Sequence, residues 1–463
     1  MKLLTSGCEL RIKDHKSEIT NIKLFFVIPE YHRQKDGKNT DAGADPRVLE
    51  GMKGFRRNFL TNTPYAEVVM FFIRHFRFDL KSIYPIIIAK KHFKFKLNLP
   101  ARFMRVNSLK TKSFRNLRNA DITFGQEPLC AFIGVNGQGK TNVLEAIYLC
   151  ALSKSFRTRV NSDLIRFDAD FCSVKAAVSV EDDDKELELI VTREPAQKVM
   201  KINGVKTKSA DFVATLKAVF FSPDDLSEMA FAPRLRRRYL DVLLSQLDRG
   251  YLDALLNYQE VIRHRNALLK KLKEGSAKRG ELEFWDEKIA VLALDITAKR
   301  ADLITSLKED VQERYKAISG SSDIVNIIYD SEVTGIKDKE IFLEKLRKGY
   351  DRDIENGATR LGPHRDDLKF DLNDHDMAYF ASRGEWRSLV LALKFAEIDL
   401  LEKRVGEKPI LLLDDVFSEL DDLRQKYLFT AIQNTQTFVT TTHREFLTGM
   451  EAKVFEVKDG IIN

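Results

Sequence analysis

Cysteine is scarce in this chain. The four present, Cys8, Cys130, Cys150 and Cys172, form no CxxC pair, which argues against a disulfide framework. Long apolar runs are missing as well. The best candidate, "AEVVMFFIRHFRF", is interrupted by Arg74, well short of the roughly 18 apolar residues that span a membrane. The opening "MKLLTSGCELRIKDHK" has too short an apolar core for a secretory leader. No internal repeat is found. These absences describe a cytoplasmic, reduced protein.

Charge is unevenly placed. Of 76 Lys+Arg and 69 Asp+Glu, residues 1–103 hold 20 and 10, which leaves 56 against 59 for the rest. The positive excess therefore lies wholly in the first segment, and the body can hold an acidic partner only through local basic patches. Residues 1–103 are rich in Phe, Lys and Arg, lack sustained periodicity, and include the polar stretch "RQKDGKNTDAGADPR". They read either as a basic arm touching nucleic acid or as an appended segment outside the fold. The second is the expectation: an unstructured or poorly packed extension, translated from an upstream start, with Met104 as the real one.

From Met104 the pattern becomes regular. "MRVNSLKTKSFRNLRNADITF" alternates as a strand pair at a sheet edge, and "PLCAFIGV" reads as a buried strand. "FCSVKAAVSV", "KELELIVTRE" and "KVMKINGVKT" alternate with period two around an Asn203-Gly204 turn, predicting an antiparallel meander. Helical periodicity covers about Asp224 to Arg314. "WRSLVLALKFAEIDLLEKR" is a further helix, and "PILLLDD" and "TFVTTTH" read as buried parallel strands. The expected division is 104–223 and 367–463 for an α/β sheet domain, with a helical lobe at 224–366.

The chemistry starts at "FIGVNGQGKTNVLEAIY". Gly134, Gly139, Lys140 and Thr141 make G-x-x-x-x-G-K-T between a strand and a helix, the arrangement of a nucleoside triphosphate cradle. Glycines let successive backbone N–H groups face phosphate oxygens, and the helix start adds positive potential. Gly134, Val135, Asn136, Gly137, Gln138, Gly139, Lys140, Thr141 and Asn142 form the expected nucleotide-binding run. Lys140 is to reach the β- and γ-phosphates, and Thr141 to ligate Mg²⁺. The second metal ligand is Asp414, which ends an apolar strand, and Asp415 is placed to polarise the attacking water.

"SRGEWRS" opens the long helix upstream of these aspartates. Ser382, Gly384 and Glu385 read as a second phosphate-binding helix start, or as an ordinary capping box of the S-x-x-E type. His443 closes "FVTTTH". A low-priority set for DNA contact is Arg234, Arg236, Arg237 and Arg238 in "RLRRRY". The plainer reading is a solvated helix face on which Arg237 pairs with Asp241 four residues on.

Cradle, Ser-Gly-Glu helix start, apolar-Asp-Asp, "SELD" and strand-end His follow one another as in an ATP-binding-cassette ATPase of the SMC/Rad50/RecF superfamily. The chain resembles the RecF family in "FSPDDL", "RRRYLDVLLSQLD", "LGPHRDDL", "SRGEWRSLVLALKFAE" and "LLLDDVFSELD", and from Met104 to Asn463 throughout. That resemblance implies a P-loop head with a short helical arm. It implies ATP and Mg²⁺ as ligands, slow hydrolysis, and an ATP-driven homodimer in which Ser382 and Gly384 face the partner's γ-phosphate. Lys140, Asp415 and Ser382 would be the catalytic set, with Asp421 in the D-loop position and His443 in the switch position. It further implies binding to double-stranded DNA or gapped junctions, partnership with RecR, RecO and RecA, and a place at the nucleoid. Arg383 and Trp386 depart from the usual S-Q-G-E-Q-R signature. The alternatives are a transporter ATPase, disfavoured by the helical insertion, and a non-hydrolysing DNA-binding module. The 242 positions from Lys140 to Ser382 leave no room for a long coiled coil.

Overall fold

The computed structural model describes residues 5–13, 19–27 and 103–463, apart from 182 and 433–434. In the first segment, Thr5–Lys13 and Ile19–Val27 pair antiparallel. The expectation of a poorly packed extension meets this hairpin there, and otherwise lies outside the described residues.

A central sheet of six strands carries the site. Its order is Ala218–Phe221, Ile410–Asp414, Thr437–Thr441, Leu129–Ile133, Ala452–Lys458 and Ile461–Ile462. The first five run parallel and the last turns back antiparallel. Parallel strands are buried on both faces, and alternate residues here enter different cores. Leu129, Ala131, Leu411 and Leu413 pack with the long helix Arg383–Val405. Cys130, Phe132, Ile410 and Leu412 pack with the helix Lys140–Leu152 and a second sheet. Burial pushes the Cys130 and Cys150 thiols up to about 12, so both act as packing groups.

The second sheet is antiparallel, in the order Leu117–Thr123, Arg105–Phe114, Phe171–Val180, Asp183–Thr192, Gln197–Ile202 and Val205–Lys206. This contains both the predicted strand pair, at the edge, and the predicted meander. Asn203 and Gly204 have φ of 51° and 79°, the two positive values that a tight hairpin turn requires.

The helical insertion holds Pro233–Leu247, Arg249–Lys273 and the 38-residue Leu282–Ser319. One difference from the sequence reading concerns Asp367–Leu372. This strand pairs with Val325–Asp330 rather than with the central sheet, so the division between 366 and 367 passes through a hydrogen-bonded strand pair. Buried arginines fasten the helices of the insertion together, and Arg300 also holds "LGPHRDDL". Arg300 donates to Asp241 (2.6 Å), the Tyr251 hydroxyl (3.0 Å) and the Pro363 carbonyl (2.7 Å). Arg265 donates to Asp286 and Asp353, each at 2.7 Å. Asp241 is thus engaged by Arg300 and not by Arg237.

His364 is neutral by construction. Its Nδ1 accepts from the Tyr258 hydroxyl (2.6 Å) and its Nε2 donates to the Thr359 carbonyl (2.9 Å). Burial, aided by Arg365, Arg237 and Arg300 and opposed by the Thr359 hydrogen bond, lowers its pKa to about 4 from 6.5. The unfolded chain therefore binds the extra proton first. His364 supports the fold fully above pH 6.5, and that support fades as pH falls toward 4, by about 3 kcal/mol in all. Thermal unfolding of the wild type should lose stability across this window faster than His364→Gln does. Parallel curves would contradict the assignment.

Candidate nucleotide site

The strand Leu129–Ile133 and the helix Lys140–Leu152 hold the loop 134–139 between them. Two of its glycines are sterically required. A Cβ on Gly134 would lie 2.3 Å from the Val457 carbonyl oxygen. Gly139 has φ of 113°, a region closed to side-chain-bearing residues. The loop is buttressed from outside. Gln138 accepts through its carbonyl from Asn116 Nδ2 (3.0 Å) and the Gly460 amide (3.0 Å), and through Oε1 from the Asp459 amide (2.6 Å). Asn142 is tied to Asn116 (2.6 Å) and Arg157 (2.7 Å). The side chains of Gln138 and Asn142 thus brace the loop, while Val135, Asn136 and Gly137 form its exposed rim.

Lys140 lies across the concave side, with Nζ donating to the carbonyls of Gly134 (2.7 Å) and Val135 (3.1 Å). Burial lowers its pKa, while Asp415 and Asp414 act to raise it. The expected metal ligands meet directly. Thr141 Oγ1 donates to Asp414 Oδ1 at 2.9 Å, and Thr440 Oγ1 donates to the same oxygen at 2.7 Å. Thr440 comes from the strand lying between those of Asp414 and the cradle. It also receives the Asp415 amide, at 3.1 Å. Its signal in the sequence was the Thr run of "TFVTTTH", where the strand-end His drew the attention instead.

Asp415 adopts φ of 50°, so the chain turns away from the strand direction just past the C-terminal end of Ile410–Asp414. Its Oδ1 is buried without a hydrogen-bond partner. Burial raises the pKa of both aspartates, and for Asp415 the neighbouring Asp414 adds to this. Two crowded carboxylates beside a hydroxyl, one with an unpartnered buried oxygen, form the hard oxygen donor set that Mg²⁺ prefers. A cavity of about 520 Å³ adjoins Thr141 and Asp414 and is also lined by Arg157, Arg238, Lys394 and Glu397. Arg157, which sequence reading passed over inside "SKSFRT", adds positive charge near Asp414.

Ser382 caps the helix Arg383–Val405. Its amide donates to Glu385 Oε2 (2.7 Å), and its Oγ accepts from the Glu385 amide (3.3 Å). The capping box is therefore present. It occupies none of the Gly384 amide, and Ser382 stays exposed. Among the described residues no hydrogen bond joins Ser382, Gly384 or Glu385 to the cradle of the same chain. Trp386 accounts for one departure in the signature: it is 6% exposed, and its indole N–H donates to the Met377 carbonyl at 3.0 Å. Arg383 faces solvent. His443 Nδ1 lies 3.0 Å from Glu445 Oε1.

The arginine cluster needs correction. Arg236 is 7% exposed and forms a bidentate pair with Asp367 at 2.9 and 2.7 Å, so it is unavailable to DNA. Arg237 donates to the Asp366 carbonyl (2.6 Å) and Arg238 to the Phe156 carbonyl (2.9 Å). Only Arg234 of the four is exposed. Arg236 and Arg237 tie the helix Pro233–Leu247 to Asp367 and Asp366, and Arg238 ties it to the segment that follows the helix Lys140–Leu152.

Known proteins similar to this chain share one family. The RecF/RecN/SMC N terminal domain model matches residues 105–463. A "DNA replication and repair protein RecF" of Halalkalibacterium halodurans is 38% identical over 371 residues, covering 77% of this chain and 98% of that protein. A protein of the same name from Streptococcus uberis is 39% identical over 367 residues, covering 78% and 99%. A solved structure described as the recombination mediator protein RecF-ATP in the RecFOR pathway superposes with a TM-score of 0.71 at 34% identity, covering 78% of this chain and 98% of the other. No described helix is long and apolar enough to cross a membrane. On these matches, which span the cradle, the insertion and the paired aspartates alike, the chain belongs to the RecF family of the SMC/RecF superfamily.

Proposed function

We propose that this protein is an ATP-driven switch of recombinational DNA repair. In this reading it pairs into a homodimer on binding ATP and holds double-stranded DNA or a gapped junction. Slow hydrolysis then releases the pair, and with RecR and RecO it helps to load RecA. The observation that carries the reading is the convergence of Thr141 and Thr440 on one oxygen of Asp414 beside the cradle. A packed strand end does not need two hydroxyls on a single carboxylate oxygen, whereas a metal ligand must be held in orientation.

The residues divide the work. Lys140 moves its ammonium from the loop carbonyls to phosphate oxygens, a stronger charge-assisted contact. The loop N–H groups and the start of the helix Lys140–Leu152 hold the remaining phosphate charge. Thr141 and Asp414 would hold Mg²⁺, which when bound would supply positive charge to offset that of the triphosphate. Asp415 accepts a hydrogen bond from the attacking water through its unpartnered Oδ1 and orients it. Ser382 and the Gly384 amide serve the nucleotide of the second subunit.

The trans role has a direct test. In Ser382→Arg the monomer should bind ATP within about twofold of wild type, since the cradle is untouched. ATP-driven pairing should be lost, because the arginine side chain would fill the space that the partner's γ-phosphate needs at a closely packed contact. Unchanged pairing on light scattering would leave Ser382 as a helix cap alone.

A further inference from the structure

We propose that the chamber beside Thr141 and Asp414 receives the orthophosphate cut from ATP, and that Lys394, Arg234 and Arg238 hold it there. This rests on the reading that the protein hydrolyses ATP. One cavity of about 520 Å³ is lined by Thr141 and Asp414 and also by Lys394 and Glu397. The expected metal site and this charged pair therefore share one space. A water molecule's share of the liquid is about 30 Å³, so a tetrahedral phosphate fits with water to spare.

Lys394 is the residue that carries the proposal. It sits inside the helix Arg383–Val405 and is 9% exposed. Glu397 stands 3.6 Å away, beyond a true hydrogen bond. The rings of Phe221 and Tyr239 lie 5.7 and 5.6 Å from the ammonium, and no hydrogen bond joins it to any described residue. A buried ammonium with three donors to fill is costly unless an acceptor meets it. Here the cavity is where that acceptor can sit. Glu397 repeats the pattern: its Oε2 is buried without a hydrogen-bond partner. Burial pushes its carboxyl up to about 7, against the pull of Lys394. In its protonated form it donates to a phosphate oxygen instead of repelling it.

The other walls add cations from separate elements. Arg234 and Arg238 come from the helix Pro233–Leu247, and Arg157 from the segment after the helix Lys140–Leu152. Arg238 is fixed by the Phe156 carbonyl at 2.9 Å. Arg234 makes no hydrogen bond among the described residues. Guanidinium and ammonium donors converging on one space are the chemistry that recognises phosphate. Of the acids on the walls, Asp414 faces the metal site and Asp225 accepts from the Ser222 amide at 3.2 Å. Asp224 is exposed, so solvent screens its charge. In the ATP-bound pair the second subunit covers the phosphate end of the nucleotide. A chamber within the same chain gives the cleaved group a place while the pair is closed.

Equilibrium dialysis of radiolabelled orthophosphate against the full chain loaded with ADP and Mg²⁺ tests this. The wild type should bind phosphate, and Lys394→Met should weaken it by about tenfold or more, the loss of one buried charged donor. Arg234→Gln should weaken it by about threefold. Arg234 is exposed, so this second variant keeps its fold and decides the matter if Lys394→Met does not fold. ADP affinity should stay within about twofold in both, because no cradle residue changes. Phosphate binding equal to wild type in the folded variants would place the ion in the cradle and overturn the chamber. A wild type that turns over ATP yet takes up no phosphate would overturn the chamber and leave the hydrolysis reading standing. A wild type with no turnover would overturn both.

Discussion

Lys140→Ala is expected to weaken ATP binding by about two to three orders of magnitude. Removing a charged donor from phosphate contacts in a partly buried site costs roughly 1.5–3 kcal/mol for each hydrogen bond lost, and Nζ already makes two such bonds to the loop. Relief of the ammonium's desolvation opposes this loss. It is the smaller effect, because Asp414 and Asp415 would then face the triphosphate with no lysine between them. Equilibrium titration with a fluorescent ATP analogue reads the change. Affinity within about twofold of wild type would show that the loop amides suffice.

Asp415→Asn should separate binding from turnover. Losing a carboxylate that orients water lowers hydrolysis by about 10² to 10⁴. Asparagine keeps the shape and tolerates the φ of 50°, and the backbone amide keeps its bond to Thr440. Asp414 remains for the metal, so ATP affinity should hold and the ATP-bound pair should persist. Thermal stability near pH 8 should not fall, since burial disfavours the charged form of Asp415. Normal turnover in a single-turnover assay would remove Asp415 from the water-activating role.

The central features were readable because they are local. Six positions from Gly134 to Gly139, then Lys140 and Thr141, specify a strand, a turn and a helix start, each with its own steric reason. The aspartates after "PILLL" were equally legible, as a buried strand ending in charge. What escaped depends on distant partners. Arg236 looked like a surface cation until its pairing with Asp367, 131 residues away, placed it inside. Thr440 has no local peculiarity, and only the strand order sets it beside Asp414. Asp367–Leu372 reads as a strand from either side, and pattern alone does not say which sheet it joins. Trp386 departs from the usual signature, and its side chain points into the core while Ser382 stays exposed.

Pairing under nucleotide control is the claim on which the rest depends. The most direct test is the mass of the purified protein by light scattering without nucleotide, with ADP, and with ATP and Mg²⁺, each with and without a short DNA duplex. The account predicts a monomer in the first two states, a dimer with ATP, and duplex co-migrating with the dimer alone. The same mass in all three states, or duplex bound equally well without ATP, would contradict it.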